Sequence, residues 1–578
     1  MAQQGIAMLP LEPYRYQPLP PLTQTRIIVL EPSSDAAAPL SCRLETLQVE
    51  SDKGFQALSY TWGAPIFTET LIVDNTYFLR ITPNLRDALR RFRLPSTPRR
   101  LWVDAVCINQ QDEEEKGKQI PFMNVIYRGA STVLVWLGNY PAQAACLDCI
   151  RAYPRRITKE HDPNSHEGRL EHSELLRSLS SLLQLPWFSR RWIVQEAVLN
   201  PDVLLCCCDE ELSWVRLANC LGMISAIPPD ANLLHTAVAM TNLWKRWILN
   251  SDDGPRNNNG IFDLLEAFDH FQCFDDRDRL FALGGLATDV HMGPKPPPGL
   301  LPLHADYTIS AESLYTKFCK DILERNDESM KHQMLRSSLA RSHSSQTVRL
   351  PSWVPDWRVL AIRKPFFRYI SYNLLIQLEY KANGLSLRGQ LIQDTEARVS
   401  ETFEPLPTHE LSPKEVIRWL QKVGALWLSR YPDTGLAPYA KFIEECAQNA
   451  GVQISHASVD FVVSWVMRID LPMFSGAKDH YIDALLEIRN VFKGRSVFYW
   501  ADPSGLPTFG IGPDCVQVGD ELLGAKRPSS DDHSFQVVLV VRDVESHSSR
   551  LVGDALVVRS LTRAEFWFPS PARTKCLI

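Results

Sequence analysis

The sequence has no apolar run approaching the ~18 residues needed to span a bilayer and no basic, apolar start of the signal-peptide kind. Those two absences lead to the expectation of a cytoplasmic protein without a membrane span. A GxxxxGK phosphate loop is also missing, which argues against a built-in nucleotide-driven motor. Nor is there an excess of basic charge. With a formal net charge of -6, general attraction to nucleic acid is not expected. Glycine is scarcer than proline, 27 against 40, which suggests rigid connections between short elements. Thirteen cysteines is an odd count, and the adjacent trio Cys206-Cys207-Cys208 suits free thiols in a reducing compartment. Cys146 and Cys149 have CxxC spacing, but no second Cys or His pair follows at zinc-finger distance, so no metal is expected.

What is present is ordinary globular material. At 45% hydrophobic and 22% charged residues over 578 positions, the chain should build two to four domains. Leu101-Trp-Val-Asp-Ala-Val-Cys-Ile-Asn109 is almost wholly apolar and reads as one strand buried on both faces. Its one charge, Asp104, needs a partner or a task. The polar stretch Asn109–Lys116 follows where open α/β sheets keep their ligands. A helix then leads to a second apolar strand, Thr132–Gly138, completing a βαβ unit. Upstream, Arg26–Leu30, Ser41–Leu47 and Phe55–Trp62 read as strands, and Leu71–Leu79 as a hairpin turning at Asp74-Asn75. Thr82-Pro83 opens a helix, Thr as cap and Pro at the first helical position, with Leu85, Ala88, Leu89 and Phe92 at helical spacing. Residues 141–186, 231–250 and 261–270 have helical periodicity. So do Trp192–Leu199, Ala311–Leu323 and the regions around 412–450 and 478–492. Ser496–Trp500, Phe535–Arg542 and Ala555–Val558 suit a small antiparallel barrel or sheet. Trp353 and Trp357, set among prolines, read as packing residues.

Several blocks resemble the HET (heterokaryon incompatibility) domain of filamentous fungi. They are Phe55–Gly63, Ile81–Leu85, Leu101–Gln110, Glu115-Lys116, Val133–Gly138 and Trp187–Glu196. Arg277–Leu283, Asp306-Tyr307 and Pro351–Trp357 resemble segments that follow the domain, and Phe509–Pro513 resembles a C-terminal one. Pro121 departs from the pattern, because an interior proline costs a helix roughly 3 kcal/mol. A late start or a kink is expected there. The resemblance implies nonself recognition between fused cells, with cell death as the outcome. It also implies an α/β, TIR/flavodoxin-like open parallel sheet, followed by a helical region and a small β-rich C-terminal unit. The corresponding divisions are 1–50 as an extension packing on the domain, 51–217 as the HET domain, 218–350 as mainly helical, 351–480 as mixed, and 481–578 as β-rich.

Some TIR domains cleave NAD with a glutamate in a Trp-x-x-x-Glu pattern, and Trp192-Ile-Val-Gln-Glu196 has that spacing. By this fold-level analogy, Glu196 is the candidate catalytic residue, stabilising positive charge as nicotinamide leaves. Its bland alternative is a structural carboxylate paired with Arg190 or Arg191. Candidate substrate-binding residues are Tyr60, Trp62, Gly63, Asp104, Asn109 and Trp192, with Trp62 available to stack and Gly63 to admit a ligand near the backbone. The aromatics equally suit a simple cover for the sheet, and Asp104 a buried structural role. Asp112–Glu115 most simply caps a helix. No resident cofactor is expected, NAD being a possible substrate. The expected partners are a protein or a second copy of the chain. A non-catalytic signalling or interaction module of the same fold is the competing reading.

Overall fold

The computed structural model describes residues 11–19, 24–48, 51–156, 166–222, 232–249, 259–293, 295–325, 327–341, 350–366, 377–381, 384–391, 397–406, 412–452, 454, 456–468, 479–501, 507–524, 535–545, 548–558 and 572–577. The chain divides into two compact units, Met1–Ser310 and Ala311–Ile578.

The first unit is organised by a ten-stranded mixed sheet. Four neighbouring strands at its heart are parallel, in the order Arg99–Trp102, Gln56–Tyr60, Val133–Gly138, Val203–Cys207. Every residue of Val133–Gly138 is buried, including both sets of alternating side chains, so both faces of the sheet are covered there. Gln24–Leu30 pairs antiparallel with Arg99–Trp102, and Ser41–Gln48 continues outward. Glu69–Val73 and Tyr77–Ile81 form the expected hairpin. Its turn carries Asp74 and Asn75 at positive φ, the left-handed conformation those residue types tolerate in tight hairpins. The helix Pro83–Phe92 follows, with Thr82 accepting from the Leu85 N–H and Leu85, Ala88, Leu89 and Phe92 buried. At Pro121 the chain is helical as Glu113–Gln119, tightens to a 3₁₀ turn over Ile120–Phe122, and resumes as Met123–Gly129. The missing N–H is thus absorbed by a local change of helix type.

One expectation fails. Leu101–Asn109 is not a single strand. The strand is Arg99–Trp102, and Asp104–Cys107 is one helical turn. Asp104 Oδ1 accepts from the Ala105 N–H at 2.7 Å, and the Cys107 N–H bonds the Val103 carbonyl at 2.7 Å. The Val106 and Cys107 carbonyls accept from the Tyr16 hydroxyl and the Arg26 guanidinium rather than from a neighbouring strand. A short apolar run fits either conformation, and here long-range side-chain donors favour the turn.

In the second unit, helices Pro413–Arg430, Ala437–Asn449, His456–Val466 and Asp479–Phe492 accompany a nine-stranded sheet. Six of its strands close into a ring: Ala397–Thr402, Arg495–Ala501, Pro507–Pro513, Ser548–Val558, Phe535–Glu545 and Glu521–Gly524, every pairing antiparallel. Val399, Phe498, Trp500, Leu522, Val540 and Val557 fill part of its core. The expected C-terminal barrel is therefore present. It also recruits Ala397–Thr402, which precedes the helices in sequence. Trp353 and Trp357 are buried, and Trp357 packs edge-on against Tyr315 at 4.9 Å.

Candidate functional site

The parallel strands end in a polar cluster. Gln56–Tyr60 ends with Ser59 and Tyr60 buried, and Trp62 just beyond it donates its indole N–H to Asp104 Oδ2 at 2.9 Å. From the other side comes the segment Pro186–Val198, a 3₁₀ turn leading into a short helix that carries Glu196. The carboxylate of Glu196 accepts from the Ser59 hydroxyl, which in turn accepts the Trp187 indole N–H at 2.7 Å. Both carboxylate oxygens also meet Arg190, at 3.3 and 3.4 Å. These contacts are longer than the ~2.7–2.9 Å of a tight charge-assisted pair. Glu196 is 2% exposed and Arg190 19%, so the cation reaches the surface and the anion does not.

Burial pushes the Glu196 carboxyl above its ordinary range, and Arg190 and Ser59 oppose that shift. Asp104 is likewise raised by burial and pulled back by Arg190, then by the Trp62 and Ala105 donors. For Arg190, burial disfavours its charge, but Glu196 and Asp104 together outweigh it and its pKa rises. Arg190 is the electrostatic centre of the cluster. Burial raises the Tyr60 and Tyr127 hydroxyls well above their usual value, so both stay neutral.

Arg190 and Arg191 divide the work. Arg191, 1% exposed, sends its guanidinium to the carbonyls of Arg279 and Phe268 at 3.0 and 2.8 Å. Its N–H bonds the Gln272 carbonyl, while the Gln272 N–H bonds Ser189. This clamps segment 268–279 beside the cluster and leaves Arg190 for the carboxylates.

The sequence-derived candidates do not all meet. Tyr60, Asp104 and Glu196 lie in the field of Arg190, and Trp62 joins them through its bond to Asp104. Gly63 is exposed at φ +74, where a Cβ would meet nothing within 4 Å, so its backbone conformation is what calls for glycine. Asn109 is drawn to a different ion pair. Its N–H bonds Glu115 Oε1 at 2.7 Å, and Glu115 pairs with Arg26 at 2.6 Å. Glu115 stands in the first turn of a helix capped by Asp112, which accepts from the Glu114 and Glu115 N–H groups. Trp192 turns its indole to Asp278 Oδ2 at 2.9 Å, and the Tyr307 hydroxyl donates to the other oxygen of that carboxylate. Burial lifts Asp278 to about 6. Ser59, Trp187, Asp278 and Tyr307 were not among the candidates. A signal was available for all four, because each lies in a block that carries the family resemblance.

The fold and cluster define an α/β protein with a parallel core whose strand ends converge on a buried arginine–carboxylate network. The comparisons place it further. Residues 55–196 match the family model described as "Heterokaryon incompatibility protein (HET)". The match begins one residue before Gln56–Tyr60 and ends on Glu196. "Heterokaryon incompatibility protein 6, OR allele" of Neurospora crassa is 26% identical over 430 residues, covering 61% of this chain and 60% of that protein. The chain therefore spans less than two thirds of that relative's length. No solved structure matches the chain.

Proposed function

We propose that this protein acts in heterokaryon incompatibility, as a nonself-recognition protein whose HET domain signals cell death after fusion. The supporting observation is the HET match over 55–196, which coincides with the parallel core and its polar cluster. The geometry favours a module working through a protein partner or a second copy. Glu196 is enclosed, with its oxygens committed to Arg190 and Ser59. Deleting the gene in its host strain should make at least one otherwise incompatible fusion viable. Unchanged incompatibility against every tester strain would remove the proposal.

A second reading, NAD cleavage, is favoured by one feature. Trp192-x-x-x-Glu196 sets a carboxylate of raised pKa at the end of a parallel sheet. For catalysis, Glu196 would have to exchange Arg190 for the ribose of the substrate and face the developing cation. Loss of such an electrostatic contact costs ~10²–10³ in rate. NAD consumption by purified protein, dilute and assembled, should then fall by that factor in Glu196→Gln. An assembled wild-type protein that consumes no NAD leaves the association module alone.

A further inference from the structure

Three thiols meet at one hairpin of the first unit. The strand Val203–Cys207 turns back into Glu210–Ser213, and Glu210 pairs with Cys207. The two residues of the turn are therefore Cys208 and Asp209. Cys208 has a φ of 51°, the left-handed conformation that Gly, Asn or Asp supplies in such turns. A cysteine there goes against local preference. The turn is pinned on both sides, since the Cys208 N–H bonds the Gly138 carbonyl at 3.0 Å and the Cys208 carbonyl accepts from Arg91 Nε at 3.1 Å.

This geometry brings two adjacent side chains together. The Cys207 thiol is buried, donates to the Tyr140 carbonyl at 3.4 Å, and is in hydrogen-bonding contact with the Cys208 thiol. Burial pushes Cys207 up to about 11, so it keeps its proton. Cys208 is half-buried and open to solvent on one side. Arg91, which also bonds Glu211 at 2.6 Å, brings a cation to the turn. Partial exposure beside a cation is the setting of reactive cysteines, whereas enclosed ones are inert. The third thiol, Cys146 of helix Pro141–Arg156, lies within the field of Cys207 and donates to the Ala142 carbonyl at 3.4 Å.

We propose that Cys207 and Cys208 form a site of reversible oxidation by hydroperoxides, in which Cys208 meets the oxidant and Cys207 closes a disulfide with it. The Cys208 sulfur attacks one oxygen of hydrogen peroxide and the O–O bond breaks. The departing hydroxide takes the thiol proton and leaves as water, and Cys208 becomes a sulfenic acid. The Cys207 sulfur then attacks that of Cys208. The S–S bond forms, the S–O bond breaks, and hydroxide leaves with the Cys207 proton as a second water. Two thiols are oxidised and one peroxide is reduced. Adjacent Cα atoms stand about 3.8 Å apart, closer than the ~4.4 Å at the lower end for ordinary disulfides. The ring is strained, and strained disulfides are the readily reduced kind, so a dithiol returns both thiols. The site lies outside residues 55–196 and does not depend on the incompatibility proposal.

The test treats the full chain with hydrogen peroxide under conditions that fully oxidise free glutathione. The protein is then denatured, alkylated, digested and weighed by mass spectrometry. The peptide with residues 206–208 should be two hydrogens lighter and labelled on Cys206 alone, and dithiothreitol before alkylation should restore all three labels. Cys207→Ser should leave Cys208 as a sulfenic acid that dimedone traps. Cys208→Ser, at a turn position open to solvent, should abolish both products with an unchanged circular dichroism spectrum. Three labels after peroxide overturn the inference. So does a cross-link from Cys207 or Cys208 to Cys146 or Cys206, or a loss of two hydrogens that persists in Cys208→Ser.

Discussion

Both units bury an arginine against a carboxylate, and the surroundings of the two pairs differ. In the second unit Arg495 and Asp554 are 0% and 1% exposed. Arg495 bonds Asp554 Oδ1 at 3.1 Å, and its remaining contacts go to the Asp554 and Lys364 carbonyls and over the Phe366 ring at 3.6 Å. The second oxygen of Asp554 accepts the Phe366 N–H. This pair fastens residues 364–366 to the barrel and has no route to solvent. In the first unit the contacts between Arg190 and Glu196 are longer, the cation is 19% exposed, and a second carboxylate, Asp104, shares its field. The same chemical pair is a clip in one unit and an adjustable junction in the other. Burial lowers the pKa of Arg495 despite its partner, whereas two carboxylates raise that of Arg190. Of these two pairs, the one around Arg190 is open to protonation or exchange of a partner.

If that contrast is right, the largest effect belongs to the clip. Arg495→Leu leaves Asp554 charged and enclosed, and breaking such a pair costs about 3–5 kcal/mol. Amide hydrogen exchange should show lost protection in Arg495–Ala501 and Pro507–Pro513, while Gln56–Tyr60 and Val133–Gly138 keep theirs. A loss below ~1 kcal/mol, within the range of exposed pairs, would mean that Arg495 is no more a fastening than a surface arginine.

A smaller, pH-dependent effect is expected at the junction. Arg190→Leu should cost about 2–3 kcal/mol at alkaline pH, less than an enclosed pair, because Glu196 can take up a proton instead. The sign follows from linkage. The folded-state pKa of Glu196 is already above its ordinary value, and loss of Arg190 raises it further. The folded form then binds more protons than the unfolded one, so stability falls as pH rises from the unfolded value through the folded one. Urea unfolding at about pH 5 and about pH 8 should find the variant near wild type at the first and furthest below it at the second. A deficit equal at both would place Glu196 outside the titrating network. Adding Glu196→Gln to Arg190→Leu should recover part of the alkaline loss.

Local rules made much of this fold legible. Thr82-Pro83, Asp74-Asn75 and Pro121 each act within a few residues, and each behaves as its chemistry requires. Leu101–Asn109 misleads because its conformation is settled by Tyr16 and Arg26, more than 70 positions away by the sequence numbering. Ala397–Thr402 was missed as a barrel strand because its partners lie beyond four intervening helices. In the candidate site, the spacing of Trp192 and Glu196 suggests a shared face, yet the two side chains find separate partners, Asp278 and Arg190. Which of two adjacent arginines meets Glu196 is decided by the clamp on segment 268–279, a tertiary fact that no local pattern contains.

Asp278 sharpens the comparison with the smallest expected effect, since it is a buried carboxylate held by neutral donors. Its partners are the Tyr307 hydroxyl and the Trp192 indole, and burial lifts its pKa to about 6. Because the folded pKa exceeds the unfolded one, Asp278 contributes fully below about pH 4, and that contribution is lost by about pH 6. Above that window the ion is present without a compensating cation in contact. In the variant Asp278→Asn, the neutral amide would resemble the protonated acid. Its oxygen accepts from Trp192, and the Tyr307 hydroxyl rotates to accept from its nitrogen. Stability near neutrality should therefore change by no more than about 1 kcal/mol, and toward greater stability if desolvation outweighs the loss of bonds to a charged acceptor. The decline in stability from about pH 4 to about pH 6 should flatten in the variant. Removing the charge from Glu196 should instead be destabilising, because Arg190 then loses its anionic partner. Denaturant midpoints across that pH range decide the matter. A large loss in Asp278→Asn with the slope intact would show that charge, not burial, sets the behaviour of Asp278.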